Sequence, residues 1–415
     1  MLKLLTEESL KDNLDEIVRL GARKMLLAAL DAEVEETIDK YKDEVDEGGK
    51  RLVVRNGKSK TRTVTLGSGS VDIETPRVND RRDGEKFTSK ILPPYVRKSP
   101  GVENLIPALY LLGISTGKMS TALKDFFGDG TMGLSAATVS KLIKTWEKDF
   151  EFFKRRKIDK KYVYIWADGV NVKVRLGDDK KICILVIIGV TESGEKELLG
   201  VQEGYRESKE AWLVLMRSLV ERGFTGPMLA MGDGALGFWS AMRELEEFKN
   251  TKEQRCWVHK IANVLNKMPK RVQPEAKGLL HEMMKAPDRE SADLSREKFE
   301  STYDAKYEKA VKCLNKDWER MTTFFDFPAR HWTSLRTTNP IESSFATVKL
   351  RTKSTRGAGS PKTATTMAFK LLLECEKKWR KIRGWEEIEN LLAGVEYRNG
   401  VMITPQGSNR EAAAM

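Results

Sequence analysis

The spacing of apolar and polar positions divides the chain into stretches of different expected secondary structure. In residues 3–46 the apolar side chains recur at helical spacing among charged ones, which predicts a long helix. Residues 50–97 are instead rich in β-branched side chains and carry an Asn-Gly turn signal, which predicts a small β-rich module. Residues 100–147 return to helical spacing, and Ser135 can cap the last of these helices.

Between residues 161 and 259 the pattern predicts strands and helices in the order β-β-β-α-β-α-β. In a meander followed by a right-handed crossover, the fourth strand can lie parallel to the first. No glycine-rich dinucleotide fingerprint follows the first strand, which argues against a Rossmann unit. Residues 262–330 are helical in period, and a final helix follows the polar, basic stretch 335–366.

Composition and charge then narrow the class of protein. The 415 residues suffice for two to four domains, and 40% hydrophobic with 32% charged content is ordinary for a folded soluble protein. The net charge of +12 favours a polyanionic partner such as nucleic acid. The longest apolar run, 182–190, is far shorter than the ~20 residues of a membrane helix. No signal peptide is recognisable and the four cysteines are scattered, so we expect a cytoplasmic protein without a membrane partner.

Two aspartates each follow a short run of strand character. Asp168 precedes Gly169, and Asp233 stands between two glycines, one of them Gly234. If the first and fourth strands are parallel, their C-terminal ends share one sheet edge, and the two carboxylates meet there. Such carboxylates repel each other unless a cation neutralises them, and hard oxygen ligands suit Mg²⁺ or Mn²⁺. An aspartate before a glycine is also a common turn former, but the occurrence of two such aspartates, each after a strand, favours metal binding. The two glycines, Gly169 and Gly234, are expected to leave room for a phosphate.

Glu342 is the candidate third carboxylate. Asn339 can cap a helix, Pro340 suits its first position, and Glu342 follows three residues after the cap. The same spacing is that of a capping box, in which Glu342 binds no metal, and the local pattern does not separate the two interpretations. Basic residues that suit phosphate contacts follow: Lys349, Arg351, Lys353 and Arg356.

Two further basic groups are candidates for DNA binding. The helices of residues 100–147 resemble a helix-turn-helix, although their seven-residue connection is longer than usual, and an ordinary helical hairpin fits equally well. For the β-rich module, a solvated hairpin tip is the competing interpretation. The residues concerned are Arg55, Lys58, Lys60 and Arg62 in the module, and Lys141 and Lys144 on the last helix.

Four stretches in a fixed order resemble the bacterial branch of the Mutator-type transposases: ADGVNVKVR, GDGALGFWSAM, QRCWVHKIANVL and LRTTNPIESSFATVKLRT. The resemblance implies a ribonuclease-H-like catalytic domain, with an all-helical insertion between the second aspartate and the glutamate. It also implies an Asp-Asp-Glu triad of Asp168, Asp233 and Glu342, which binds two Mg²⁺ or Mn²⁺ ions. The implied partners are the terminal inverted repeats and the target DNA, together with further copies of the chain in a synaptic oligomer.

Cys256 and His259 match the Cys-x-x-His sequence that this family carries after its second aspartate. Two such ligands are half of a zinc site, and no spacing in the chain identifies the other half. We therefore do not expect zinc, and instead expect His259 near the active edge, where it positions a phosphate or simply packs.

Together the patterns and the resemblance predict a mixed α/β chain that acts as a DNA transposase in the bacterial cytoplasm, at the nucleoid. It would bind its terminal inverted repeats and catalyse metal-dependent strand cleavage and strand transfer. The alternatives are a metal-dependent nuclease of the same fold without joining activity, and a domesticated, non-catalytic DNA-binding protein. The predicted segments are an N-terminal helical segment (1–48), the β-rich module (49–98), a helix-turn-helix-like region (99–158), the first catalytic part (159–264), a helical insertion (265–333), the second catalytic part (334–395) and a disordered tail (396–415).

Overall fold

The chain divides into two compact units, residues 1–142 and 143–415. The computed structural model describes residues 7–84, 86–111, 113–114, 136–175, 181–204, 206–234, 236–354 and 357–403, with the single residues 121, 123 and 127. None of the helices within these ranges is both long and apolar enough to cross a membrane.

The N-terminal unit combines a long helix with four short strands. Its elements are α1 (Glu7–Lys40), β1 (Val53–Lys58), β2 (Arg62–Leu66), β3 (Gly69–Ile73), β4 (Pro76–Asp80) and α2 (Pro100–Leu111). β1 pairs with β4 and β2 pairs with β3, both antiparallel. Leu30 of α1 packs against Val64 and Val71 of the strands, and all three are buried. The apolar face of the helix thus closes a small core over the β-rich module.

The Asn-Gly signal marks a bulge rather than a turn between strands. Asn56 and Gly57 lie inside β1, where the pairing with β4 shifts register between Arg55 and Lys58. Gly57 has φ +61°, a backbone conformation that glycine adopts at little steric cost and that tight turns and bulges both use. The predicted turn position is therefore wrong.

The second unit is built around a five-stranded sheet of mixed direction. Its strands are β5 (Tyr162–Lys173), β6 (Lys181–Thr191), β7 (Lys196–Gly204), β8 (Leu229–Gly232) and β9 (Lys252–Arg255), in the spatial order β7-β6-β5-β8-β9. The first three strands are antiparallel, whereas β8 runs parallel to β5 and β9 parallel to β8. The predicted parallel pairing of the first and fourth strands is confirmed.

Helices follow in the order that the periodicity predicts. They are α3 (Ala136–Arg155), α4 (Lys209–Glu221), α5 (Leu236–Met242), α6 (Trp257–Leu265), α7 (Gln273–Lys285), α8 (Arg289–Asn315), α9 (Trp318–Thr322), α10 (Trp332–Leu335), α11 (Asn339–Ser354), α12 (Pro361–Glu376) and α13 (Ile388–Leu392), with short 3₁₀ turns at Glu246–Phe248, Thr323–Asp326, Ala329–His331 and Trp385–Glu387. Of the two helices of the predicted helix-turn-helix, the structure describes α3, whereas most of the preceding helix, predicted over residues 118–127, lies outside the described residues. The connection, residues 128–134, and Ser135 lie outside the described residues, so this motif stays a prediction.

Alternating side chains of β5 join two layers of packing. Ile165 points into an apolar cluster with α4 and α5 that includes Trp212 and Phe238. Tyr164 and Trp166 point to the opposite face, where the Tyr164 hydroxyl lies 2.8 Å from His331 Nδ1 and Trp166 donates to the Ser334 carbonyl at 3.1 Å. Because β5 is buried on both faces, its position in the unit is fixed from both sides.

The residues between β9 and α11 are helical, as predicted, although their first helix begins earlier than expected. The sequence pattern predicts a strand that runs through His259, but β9 ends at Arg255 and α6 begins at Trp257. Trp257 is fully buried and donates to the Met321 carbonyl at 2.7 Å. Trp257, which the sequence pattern assigned to a strand, therefore begins a helix and packs against the helical insertion.

The segment predicted as a disordered tail begins with an ordered hairpin. β10 (Tyr397–Arg398) pairs antiparallel with β11 (Val401–Met402). Gly400 in the turn donates to the Phe325 carbonyl and accepts from the Ala329 amide, both at 3.1 Å. Polar composition suggested disorder, but these backbone bonds fix residues 397–402 to the helical insertion. Residues 404–415 lie outside the described residues.

Candidate active site

Asp168 and Asp233 lie side by side at the sheet edge where β8 ends. Ala167 of β5 is the register partner of Gly232, the last residue of β8, so each aspartate is the next residue along its chain. The sequence pattern predicted that Asp168 ends its strand, and this prediction is wrong. β5 continues to Lys173, paired with β6 alone. What opens the edge is the end of the parallel neighbour, which the sequence of β5 does not encode.

Glu207 joins the two aspartates. Asp168, Glu207 and Asp233 each place a carboxylate oxygen within 4.8 Å of the other two. Glu207 was not among the residues predicted from the sequence. It lies in the loop before α4, next to the N-cap Ser208, and nothing in the local pattern distinguishes it from a solvated acid. Only the packing of α4 on the sheet brings it to this edge.

Two glycines leave space for side chains of the protein. A Cβ on Gly169 would lie 2.4 Å from a carboxylate oxygen of Glu207, and a Cβ on Gly234 would lie 1.9 Å from a terminal nitrogen of Arg255. Side chains of the protein occupy the space beside both glycines, and the approach of a phosphate there stays a prediction. Gly169 allows Glu207 to approach the two aspartates, and Gly234 leaves space for the Arg255 guanidinium, which pairs with Asp317.

Burial and mutual repulsion raise the pKa values of two carboxyls in this acidic group, Asp168 and Glu207. Asp168 is only 9% exposed, and its Oδ1 accepts a hydrogen bond from the Gly169 amide at 2.8 Å. Burial raises the pKa of Asp168 to about 6 against the opposing effect of that bond, and the nearby Asp233 adds to the rise. Burial, with Asp233 and Asp168, likewise raises the pKa of Glu207 to about 7. A cation bound here would relieve this repulsion.

Glu342 lies in the first turn of α11 but forms no capping box. The Thr338 carbonyl accepts from the amides of Ile341 and Glu342, both at 3.0 Å, so the cap is one residue earlier than Asn339. The Glu342 carboxylate accepts from the Thr338 hydroxyl instead, and lies 3.7 Å from His259 Nδ1. The capping-box interpretation is therefore wrong, and the carboxylate is turned toward other side chains.

Cys256 and His259 form a second group with Glu342, and their ligand atoms also lie within 4.8 Å of one another. Cys256 is the fully buried residue before α6, and its sulfur accepts from the amide and hydroxyl of Thr338 at 3.3 and 3.2 Å. The hydrogen bond with Cys256 raises the pKa of His259 to about 9, against the effect of burial. Burial alone would raise the pKa of Cys256, but hydrogen bonds from His259 and Thr338 outweigh it and lower that pKa.

The three predicted carboxylates are thus divided between two adjoining groups. Asp168 and Asp233 belong to the first, and Glu342 belongs to the second. The groups lie close enough to interact, because His259 and Glu342 both influence the pKa of Asp168.

A family model described as Transposase, Mutator family matches residues 1–382. The chain belongs to the Mutator family of transposases. Related proteins agree with this assignment, and all three named here are transposases of bacterial insertion sequences. The chain is 44% identical over 303 residues to the transposase for insertion sequence element IS6120 of Mycolicibacterium smegmatis, which covers 73% of this chain and 93% of that protein.

Two further relatives of this Mutator-family transposase are similar over much of its length. The transposase for element IST2 of Acidithiobacillus ferrooxidans is 43% identical over 284 residues, covering 68% of this chain and 95% of that protein. The transposase for element IS905 of Lactococcus lactis is 28% identical over 299 residues, covering 72% of this chain and 74% of that protein. The resemblance seen in the four sequence stretches is confirmed.

The residues predicted to bind DNA differ in what their side chains do in this transposase. In the N-terminal unit, Lys58 and Lys60 are exposed. Arg55 is paired with Asp31, and Arg62 donates to the carbonyls of Leu92 and Pro93 at 3.1 and 3.4 Å. Arg62 is therefore engaged within the fold, which a count of basic residues could not show.

The basic residues of the second predicted group and of the α11 stretch also divide by burial. Lys141 and Lys144 on α3 are exposed, as are Lys349 and Lys353 on α11. Arg351 is 3% exposed, so its guanidinium does not face solvent and the expectation of a surface phosphate contact is wrong there. Arg356 lies outside the described residues.

Proposed function

We propose that this transposase cleaves and joins DNA at the sheet edge that carries Asp168 and Asp233, with Glu342 as the third carboxylate of an Asp-Asp-Glu site. The observation that carries the proposal is the adjacent placement of the two aspartates where β8 ends beside β5. The sheet order supports a ribonuclease-H-like domain, because three antiparallel strands are followed by two parallel ones after helical crossovers.

The residues at this edge fit a divalent cation. Asp168, Glu207 and Asp233 offer only oxygen donors, which Mg²⁺ and Mn²⁺ prefer. Asp168 is buried, and its pKa is raised by burial and by Asp233, so a bound divalent cation would stabilise the charged form of this carboxyl. A pair of bound Mg²⁺ or Mn²⁺ ions would supply Lewis-acid activation of water and stabilise charge on the scissile phosphate.

The chain's own residues would divide the remaining work. Asp168 and Asp233 lie on a sheet that is buried on both faces, so their carboxylates can be held without rearrangement of the backbone. Glu342 has a side chain that is 34% exposed and can turn toward the aspartates from the first turn of α11. His259 belongs to the second group and lies near enough to the first to lower the pKa of Asp168, and its own raised pKa favours the cationic form, suited to contact a phosphate oxygen.

DNA would be bound outside this edge by basic side chains that reach solvent. The net charge of +12 supports a polyanionic partner, and the exposed lysines of β1, α3 and α11 are the candidates for phosphate contacts. We propose the terminal inverted repeats and the target as the DNA partners, with a homo-oligomer holding two ends in synapsis. The helix-turn-helix-like region and the β-rich module would recognise the repeats.

The test is strand cleavage on DNA that carries the inverted repeats flanking the gene, with Mg²⁺ present. Asp168→Asn should abolish cleavage and leave repeat binding within a few-fold, because asparagine keeps the shape but loses the charged ligand. Asp159→Asn is the matched control, since Asp159 is exposed just before the same strand. Cleavage by Asp168→Asn at the parental rate would end the proposal.

A second substrate separates the alternatives. Given a pre-cut repeat end and a target duplex, the transposase should join the two, whereas a nuclease of the same fold would only degrade DNA. A domesticated, non-catalytic protein would bind the repeats and do neither. The presence of all three carboxylates favours the catalytic interpretation.

A further inference from the structure

Cys256 connects the strand of one proposed catalytic residue to the helix of another. Its amide donates to the carbonyl of Gly232 at 2.8 Å, and Gly232 immediately precedes Asp233. Its sulfur accepts from the amide and hydroxyl of Thr338, whose own carbonyl caps the helix that carries Glu342. Two atoms of a single residue therefore link backbone segments that are remote in sequence.

This connection is buried and reinforced by its neighbour. Cys256 and Thr338 are both fully buried, so a donor that lost its partner there could not turn to water. The amide of Trp257, the next residue, donates to the Arg336 carbonyl at 2.9 Å. Residues 256–257 and 336–338 are thus joined by consecutive bonds, which limits how far α11 can shift relative to β8.

The Thr338 hydroxyl has more acceptors than protons. It lies within hydrogen-bond reach of Cys256 Sγ and Glu342 Oε1, and 3.4 Å from His259 Nδ1, but it can donate to one partner at a time. When the Glu342 carboxylate turns toward the aspartates, the hydroxyl can keep a partner by donating to the sulfur. Cys256 therefore lets Glu342 leave without stranding a buried donor.

We propose that Cys256 and Thr338 are positioning residues that set Glu342 against Asp233 and release its carboxylate to the catalytic edge. This inference rests on the function proposed above and gives the cysteine of the Cys-x-x-His sequence a task other than zinc binding. The sulfur accepts from the Thr338 amide and lies 3.2 Å from the Thr338 hydroxyl, so it can hold Thr338 both before and after the Glu342 carboxylate turns away.

The test compares substitutions that keep or remove one atom of the connection. Thr338→Val removes the hydroxyl and keeps the shape, whereas Thr338→Ser keeps the hydroxyl. Thr322→Val is the control, since Thr322 is another fully buried threonine, whose hydroxyl bonds within its own helix. For the sulfur, Cys256→Ser keeps an acceptor, Cys256→Ala removes it, and Cys375→Ala controls for loss of a thiol elsewhere.

The measurements are kcat and KM for cleavage of repeat DNA, and the Mn²⁺ concentration that gives half-maximal cleavage. We expect Thr338→Val and Cys256→Ala to lower kcat at least tenfold and to raise the Mn²⁺ requirement, with DNA binding unchanged. Thr338→Ser should keep most of the parental kcat, and the kcat of Cys256→Ser should exceed that of Cys256→Ala. Parental kcat and Mn²⁺ requirement in Thr338→Val would overturn the proposal.

Two further results also decide the matter. If Thr338→Val and Cys256→Ala fail to fold, Thr338→Ser and Cys256→Ser carry the test. An equal loss of kcat in these two variants, with an unchanged Mn²⁺ requirement, would show a merely structural role and overturn the proposal. Stoichiometric zinc in the parent that disappears in Cys256→Ser would overturn the proposal in favour of a metal site. Asp168→Asn run in parallel separates the two levels, because an active Asp168→Asn refutes the proposed function itself. An inactive Asp168→Asn beside a fully active Thr338→Val refutes only the positioning role.

Discussion

Replacing Asp168 with asparagine should stabilise the metal-free transposase even as it abolishes cleavage. The folded protein raises the pKa of Asp168 from its ordinary 3.8 to about 6, chiefly by burial. At 1.36 kcal/mol per pKa unit, ionising this carboxyl in the folded state costs about 3 kcal/mol more than in the unfolded state. Asparagine carries no charge and can still accept from the Gly169 amide, so most of this cost should disappear.

The pH dependence has a definite sign. Between about pH 4 and 6 the folded protein keeps the Asp168 proton that the unfolded chain has lost, so stability falls as pH rises through this window. Glu207 adds a similar fall between about pH 4.5 and 7. The advantage of Asp168→Asn should therefore be small at pH 4 and fully developed above about pH 7.

Urea unfolding in EDTA at pH 4 and pH 8 measures this directly. At pH 8 we expect the free energy of unfolding of Asp168→Asn to exceed that of the parent by about 2–3 kcal/mol. Added Mn²⁺ should stabilise the parent through ligand binding to the folded state, and should stabilise the variant much less. The exposed Asp159→Asn should match the parent in both respects. An Asp168→Asn protein that is no more stable than the parent at pH 8 in EDTA would refute the electrostatic reasoning.

Three further predictions follow from the same region. Glu207→Gln should raise the Mn²⁺ concentration needed for half-maximal cleavage by roughly tenfold, because it weakens an oxygen donor; an unchanged metal titration would count against it. Gly234→Ala should lower cleavage while remaining folded by circular dichroism, because the new methyl group displaces the Arg255 guanidinium from beside the residue that follows Asp233; parental cleavage would count against it. Asp317→Asn should destabilise the protein by about 3–5 kcal/mol in urea unfolding, since it leaves the buried Lys260 without its anionic partner at 2.5 Å; a loss under 1 kcal/mol would contradict this.

The sheet and its paired aspartates could be predicted because they follow from local pattern and general topology rules. Strand character, two intervening helices and the right-handed crossover are enough to place Asp168 beside Asp233. The exact end of β5 was beyond that reasoning, since the strand continues on the strength of its pairing with β6.

The rest of the site depends on tertiary packing that no single segment encodes. Glu207 reaches the aspartates only because α4 packs on the sheet and a neighbouring glycine leaves space. Thr338 rather than Asn339 caps α11, and a sulfur far away in sequence accepts from its amide. Burial likewise decides that Arg351 is internal while Lys349 is exposed, although the two look alike in sequence.

The central claim is that carboxylates at this sheet edge hold the divalent cations that cut DNA, and a change of ligand tests it most directly. Asp233→Cys replaces an oxygen donor with sulfur, which Mg²⁺ binds poorly and Mn²⁺ tolerates. Cleavage of repeat DNA by this variant should be lost in Mg²⁺ and regained in Mn²⁺. The parent should cleave with either ion and should not cleave when EDTA removes the metal. Parental cleavage by Asp233→Cys in Mg²⁺, or by the parent in EDTA, would contradict the account.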